Sequence, residues 1–142
     1  MTDDGPGLGK RLRYEADRIS SQHRKLDQLY EALRRDLERR ARHTACISFG
    51  RFRDALEAHF EIEDRVYFPA VHGLCPEHRG LLDRLSSDHV VFCEELVSIQ
   101  RLLESDELDE SEQRLVELIS GLRGHERRED GLLSQLTHGV PV

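Results

Sequence analysis

The sequence has no tryptophan, one methionine, four prolines and only three cysteines, and each shortage closes off a class of protein. Cys46, Cys75 and Cys93 are odd in number and lack C-x-x-C spacing. They read as reduced thiols, not a disulfide frame, and point to a cytoplasmic protein. No apolar run approaches the roughly 18 residues that cross a bilayer, so no membrane partner is expected. Residues 1–9 are acidic and glycine-rich without the apolar stretch of a signal peptide. Apolar–polar alternation with period two is missing, which argues against strands. Cation excess is missing too. The formal charge is −7, and such a surface is repelled by phosphates, so nucleic acid is not an expected partner. Aromatics are sparse at 6% and charged residues dense at 35%. That composition suits disorder unless apolar residues recur at fixed spacing, and here they do.

Four stripes at helical spacing run through the 142 residues, a length that suits one domain with its own core. The first is Leu12, Ala16, Ile19, His23, Leu26, Tyr30, Leu33 and Leu37, and the second is Phe52, Leu56, His59, Glu63, Val66 and Ala70. Gly73 and Pro76 close the second, and Pro69 should disturb its last turn. The third is Leu82, Leu85, His89, Phe92, Leu96, Ile99 and Leu103. Asp109 with Glu112 resembles a capping box before the fourth, Leu115, Leu118, Leu122, His125, Glu129, Leu132 and Leu136. The expected architecture is all-α: an up-down-up-down antiparallel four-helix bundle over residues 12–138, with a flexible lead at 1–11 and a tail at 139–142.

Six stripe positions that should be apolar are not: His23, His59, Glu63, His89, His125 and Glu129. Two helices carry His-x-x-x-Glu, which sets both side chains on one face a turn apart. Their levels agree. In an antiparallel hairpin, facing residues are equidistant from the turn. His23 and the His59/Glu63 pair straddle Arg42, that pair and His89 straddle Cys75, and His89 and the His125/Glu129 pair straddle Leu108. Buried unpaired carboxylates cost several kcal/mol each, so something must compensate. Imidazoles with carboxylates suit iron, zinc or manganese. Six ligands exceed one tetrahedral zinc with an open position. They suit two ions bridged by the two glutamates, two histidines on each, with an oxo or hydroxo bridge and room for a small ligand.

From about His23 to Leu136 the chain resembles the HHE cation-binding domains of the hemerythrin-like superfamily. The matching pieces are His23, the run His59-Phe-Glu-Ile-Glu63-Asp64 with Phe68-Pro69, Asp88-His89, and the run His125-Glu-Arg-Arg-Glu129-Asp130. The resemblance implies a non-haem di-iron site in a four-helix bundle that binds or senses dioxygen, or responds to nitric oxide or peroxide. Oxygen-carrying hemerythrins supply two histidines from the third helix. Here one turn either side of His89 lie Leu85 and Cys93, which leaves the site more open and sets simple oxygen carriage aside. Hemerythrins proper use His-x4-Asp on the last helix, which Asp130 fits; Glu129 is preferred because it lies on the apolar stripe.

Two functional classes follow. One is a di-iron module that binds or senses a small molecule. The other is a di-iron enzyme acting on peroxide or nitric oxide, or in iron–sulfur repair or iron donation. The chain has no flavin or nicotinamide motif, which favours the first. A metal-free interaction bundle would leave two buried glutamates without partners. His43, His72 and His138 lie off the stripes and read as surface residues. His78 extends the third stripe about three turns from His89 and reads as a bundle-end residue. Tyr30 and Tyr67 can approach the site as packing, or as a hydrogen-bond donor to a bound ligand.

Overall fold

The computed structural model describes the backbone of residues 5–138 and the side chains of residues 10–135. Helix α1 spans Gly5–Glu38, α2 Arg42–Ile62, α3 Phe68–Leu74, α4 Arg79–Glu104 and α5 Leu108–His138. A π turn, Glu63–Tyr67, joins α2 to α3 without leaving helical backbone, and a 3-10 turn, Pro76–His78, leads into α4. The described residues thus form four helical rods and no strand. No helix among them is long and apolar enough to cross a membrane.

The lead begins differently from expectation. Its glycines predict a flexible segment to residue 11, but α1 already starts at Gly5. Pro6 suits a first turn, where its missing N–H costs nothing. Residues 1–4 and the expected tail, 139–142, lie outside the described residues, as do the side chains of Leu136 and His138.

The π turn corrects the second stripe. Val66 is 45% exposed, whereas Tyr67, Phe68 and Val71 are buried. Pro69 explains the shift. In a regular α-helix its ring would press on the carbonyl of Arg65, four residues back. The widened turn relieves this, and Phe68 N–H donates to Glu63 O, five residues earlier. One extra residue per turn moves the inward position from Val66 to Tyr67 and from Ala70 to Val71. On α1, Glu15 is buried at 8% where Ala16 was expected to be the more buried.

Residues 39–41 and 105–107 are built alike. Arg40 (φ 57°) and Asp106 (φ 59°) adopt left-handed backbone. In each, two crossing bonds end the helix: Arg40 N to Leu37 O with Ala41 N to Asp36 O, and Asp106 N to Leu103 O with Glu107 N to Leu102 O. The connections touch. Arg40 donates to Asp109 at 2.7 Å, and Arg42 donates to the carbonyls of Leu103 and Glu104. Because α5 begins at Leu108, Asp109 lies in its first turn and is not a capping-box N-cap; its charge still suits the positive end of the helix.

The core comes in two apolar parts. One gathers Leu33, Leu37, Phe49, Phe52, Leu96, Ile99, Leu103 and Leu115, toward the paired connections. The other gathers Leu12, Ile19, Tyr67, Val71, Leu82, Leu85 and Leu132. His23, His59, Glu63, His89, His125 and Glu129 lie between them along the helices and are all buried.

Candidate metal centre

All six stripe-interrupting residues meet. Exposure is 0% for Glu63, 1% for His125 and Glu129, 3% for His59 and His89, and 9% for His23. Their donor atoms fall into two overlapping groups. His23, His59, Glu63 and Glu129 form one; Glu63, His89, His125 and Glu129 form the other; within each, the atoms lie within 4.8 Å of one another. Both glutamates belong to both groups. Asp130 and Cys93 belong to neither.

The hydrogen bonds around the layer fix which ring nitrogen faces inward. His59 Nδ1–H donates to Gln22 Oε1 at 2.6 Å. His89 Nδ1–H donates to both oxygens of Asp64, at 3.0 and 3.1 Å. His125 Nδ1–H donates to Asp88 Oδ2 at 3.0 Å. A carboxylate only accepts, so the proton sits on Nδ1, and in the neutral ring Nε2 presents a lone pair to the centre. Ser86 and Arg128 hold the two aspartates in turn.

The centre therefore concentrates acceptors. Nε2 of His23 and Nε2 of His59 lie 3.2 Å apart, as do those of His89 and His125. Glu63 Oε1 is 3.0 Å from His89 Nε2, and Glu129 Oε1 is 2.6 Å from His125 Nε2. Neither glutamate has a hydrogen-bond donor for either oxygen. Lone pairs at such distances in a dry interior repel unless a cation or a proton lies among them. Aromatic rings keep the layer dry: Phe60 stacks on His89 with centroids 4.1 Å apart, and Phe92 meets His125 edge-on at 5.5 Å.

Electrostatics agree. Burial pushes His59 down to about 3 and lowers His23 and His89 as well, which keeps these rings neutral and able to ligate. Burial also opposes charge on His125, but the Glu129 carboxylate beside its Nε2 and the hydrogen bond to Asp88 outweigh this and raise it. Glu63 is raised well above the carboxylate range, first by burial and then by Glu129. Without a cation, the two carboxylates cannot both hold full charge in this layer. The residues present thus fit a divalent metal by orphaned acceptors, neutral imidazoles and carboxylates common to both groups.

Tyr67 is also brought to the layer, through the π turn. Its hydroxyl is buried without a partner, and burial followed by the charges of Glu129 and Glu63 holds its proton on. Tyr30 only packs beside the apolar core. His43 and His72 are exposed, as expected. His78 joins Cys75 and Glu77 in a separate group of possible ligands at the α3–α4 connection. Gln22, Asp64 and Asp88 carry no role in the sequence reading. Their signal was adjacency: each is chain neighbour to His23, Glu63 or His89, yet serves a histidine on another helix.

A model of the hemerythrin HHE cation-binding domain matches residues 15–136. No curated protein and no solved structure gives a significant match to the chain. The chain, with its histidines and glutamates grouped as a cation would need them, belongs to the hemerythrin HHE cation-binding family.

Proposed function

We propose that the chain binds two iron ions, one at His23 and His59 and one at His89 and His125, with Glu63 and Glu129 bridging them. In this reading it binds or senses dioxygen or a related small molecule, nitric oxide or peroxide. The observation that carries it is the sharing of both glutamates between two groups of two histidines. The rods are read as an up-down-up-down bundle, since His23 meets His59, and His89 meets His125, across their connections.

An iron pair would supply redox-active, ligand-binding positions. The chain's own residues do the rest. Asp64, Asp88 and Gln22 hold three imidazoles in the tautomer that ligates. Phe60, Phe68 and Phe92 exclude water. Tyr67 keeps a free O–H that can donate to a small ligand at the centre. Leu85 is fully buried where a fifth imidazole would stand, so protein ligands leave room. Ready air oxidation of the reduced form and binding of azide to the oxidised form are expected, as suits a sensor more than a carrier.

The test is metal analysis with an optical spectrum of protein reduced and then exposed to air. Two irons per chain and new charge-transfer absorption are expected. A colourless protein holding zinc alone would overturn iron as the native metal. An oxygen adduct that persists for hours and releases oxygen under vacuum would return the carrier role.

A further inference from the structure

The two metal positions look alike in their ligands and differ in what stands behind them. Residues 23, 59 and 63 and residues 89, 125 and 129 are related by one shift of 66 positions (89 − 23, 125 − 59, 129 − 63). The same shift carries Arg40 onto Asp106 (106 − 40), the left-handed residues of the matched connections. The histidine pair is 36 residues apart in each half, and the supporting bond spans 37 in each. The bundle is therefore two similar halves, and differences between equivalent positions stand out against that background.

The differences fall on the supports. His125 leans on Asp88, a carboxylate, but its counterpart His59 leans on Gln22, a neutral amide. His89 donates to both oxygens of Asp64. Its counterpart His23 receives no such bond among the described residues, although Asp130, the counterpart of Asp64, is near enough for its charge to act on the ring. A carboxylate bonded to Nδ1–H makes the imidazole a stronger donor and fixes its plane, which an amide or a charge at a distance does less well. Arg128 draws on Asp88 from the solvent side, but among the described residues no cation pairs with Asp64 in this way, and its further partner is the Ser86 hydroxyl.

We propose that the two positions are unequal by construction: the one at His89 and His125 takes its ion first and holds it more tightly, and the one at His23 and His59 is the exchangeable position. Asp64 and Asp88 are the positioning residues that set this order. A metal pair with one fixed and one exchangeable ion presents a small ligand, or an incoming ion, with a single point of entry. The inference rests on the two-ion reading above.

The test is titration of the metal-free full chain with iron(II) under argon, in competition with a chromophoric chelator, so that the two steps are read separately. The wild type should show two steps at least about tenfold apart. Asp64→Asn and Asp88→Asn should each weaken the first step about 10–100-fold and leave the second within about threefold. Gln22→Glu, which adds a carboxylate behind His59 without changing length, should strengthen the second step and narrow the gap. His23→Ala should keep the tight ion, and His125→Ala should lose it. Uptake of both ions in one step, or an effect of the aspartate variants on the weaker step, would overturn the ordering while leaving two ions in place. Fewer than two ions on the wild type would overturn the two-ion reading and the ordering with it.

Discussion

Phe49, Leu96, Ile99 and Leu115, toward the paired connections, and His59, Glu63, His89 and His125, further along the same helical rods, occupy the same kind of inward position and are all buried. The first set is stabilised by its burial, at roughly 25 cal/mol for each Å² of apolar surface removed from water. The second set loses hydration by the same burial and recovers little, since the glutamate oxygens find no donor. One set holds the helices together without help. The other is tolerated because its neighbours do that work, and it needs a partner from outside the chain. Position on a helix face therefore decides burial, but only side-chain chemistry decides whether burial stabilises.

The sharpest way to separate the two regions is to remove the ions. An ion present at a hundredfold excess over its dissociation constant stabilises by about 2.7 kcal/mol. In a chain of this size 1 kcal/mol moves the melting midpoint by roughly 2–4 °C. Chelation should therefore lower the midpoint by about 10 °C or more if two ions leave. An unchanged thermal melt would mean that the layer is satisfied internally. Phe49→Ala should cost about 3–5 kcal/mol with and without metal, and leave the metal content of the folded protein unaltered. A metal-dependent cost would show that the two regions are not independent.

In the metal-free protein the layer should also respond to pH from both sides. His59 titrates near 3 in the fold and near its ordinary value of 6.5 when unfolded. The unfolded chain then binds more protons between those values, so stability falls as pH drops from 6.5 toward 3. Glu63 has the opposite sign: its folded pKa lies above the ordinary 4.5, so the stability it contributes falls as pH rises from 4.5 through the raised value. Glu63→Gln should abolish the alkaline-side loss and keep the acid-side one. Denaturant midpoints across this range check both. The smallest effect expected lies at the connections. Asp106→Gly relieves left-handed backbone worth roughly 1 kcal/mol and should stabilise by that much or less. Loss of stability would mean that Asp106 holds Arg42 more firmly than their 3.8 Å separation suggests.

Much of this was legible before any coordinates. Helical spacing names the four rods, and the polar interruptions at His23, His59, Glu63, His89, His125 and Glu129 are conspicuous because nothing in a bundle stripe excuses them. What escaped depends on geometry that spacing cannot carry. Pro69 announces a disturbance, but spacing does not say that a π turn will absorb it upstream and turn Tyr67 inward in place of Val66. The glycines of the lead outweigh Pro6 in a sequence reading, although the helix runs through them. The supports of the layer are hidden for another reason. Gln22, Asp64 and Asp88 lie beside the stripes, as solvated residues do, and only their reach across to a neighbouring helix gives them a role.

The central claim is that the two glutamates serve two ions at once, and the most direct measurement is the metal-to-chain ratio of folded wild type and Glu63→Ala after anaerobic loading with iron(II) and removal of free metal. Two ions are expected on the wild type and one or none on the variant, since loss of a shared carboxylate weakens both positions. Two ions retained by Glu63→Ala, or fewer than two on the wild type, would mean that the glutamates do not bridge a pair.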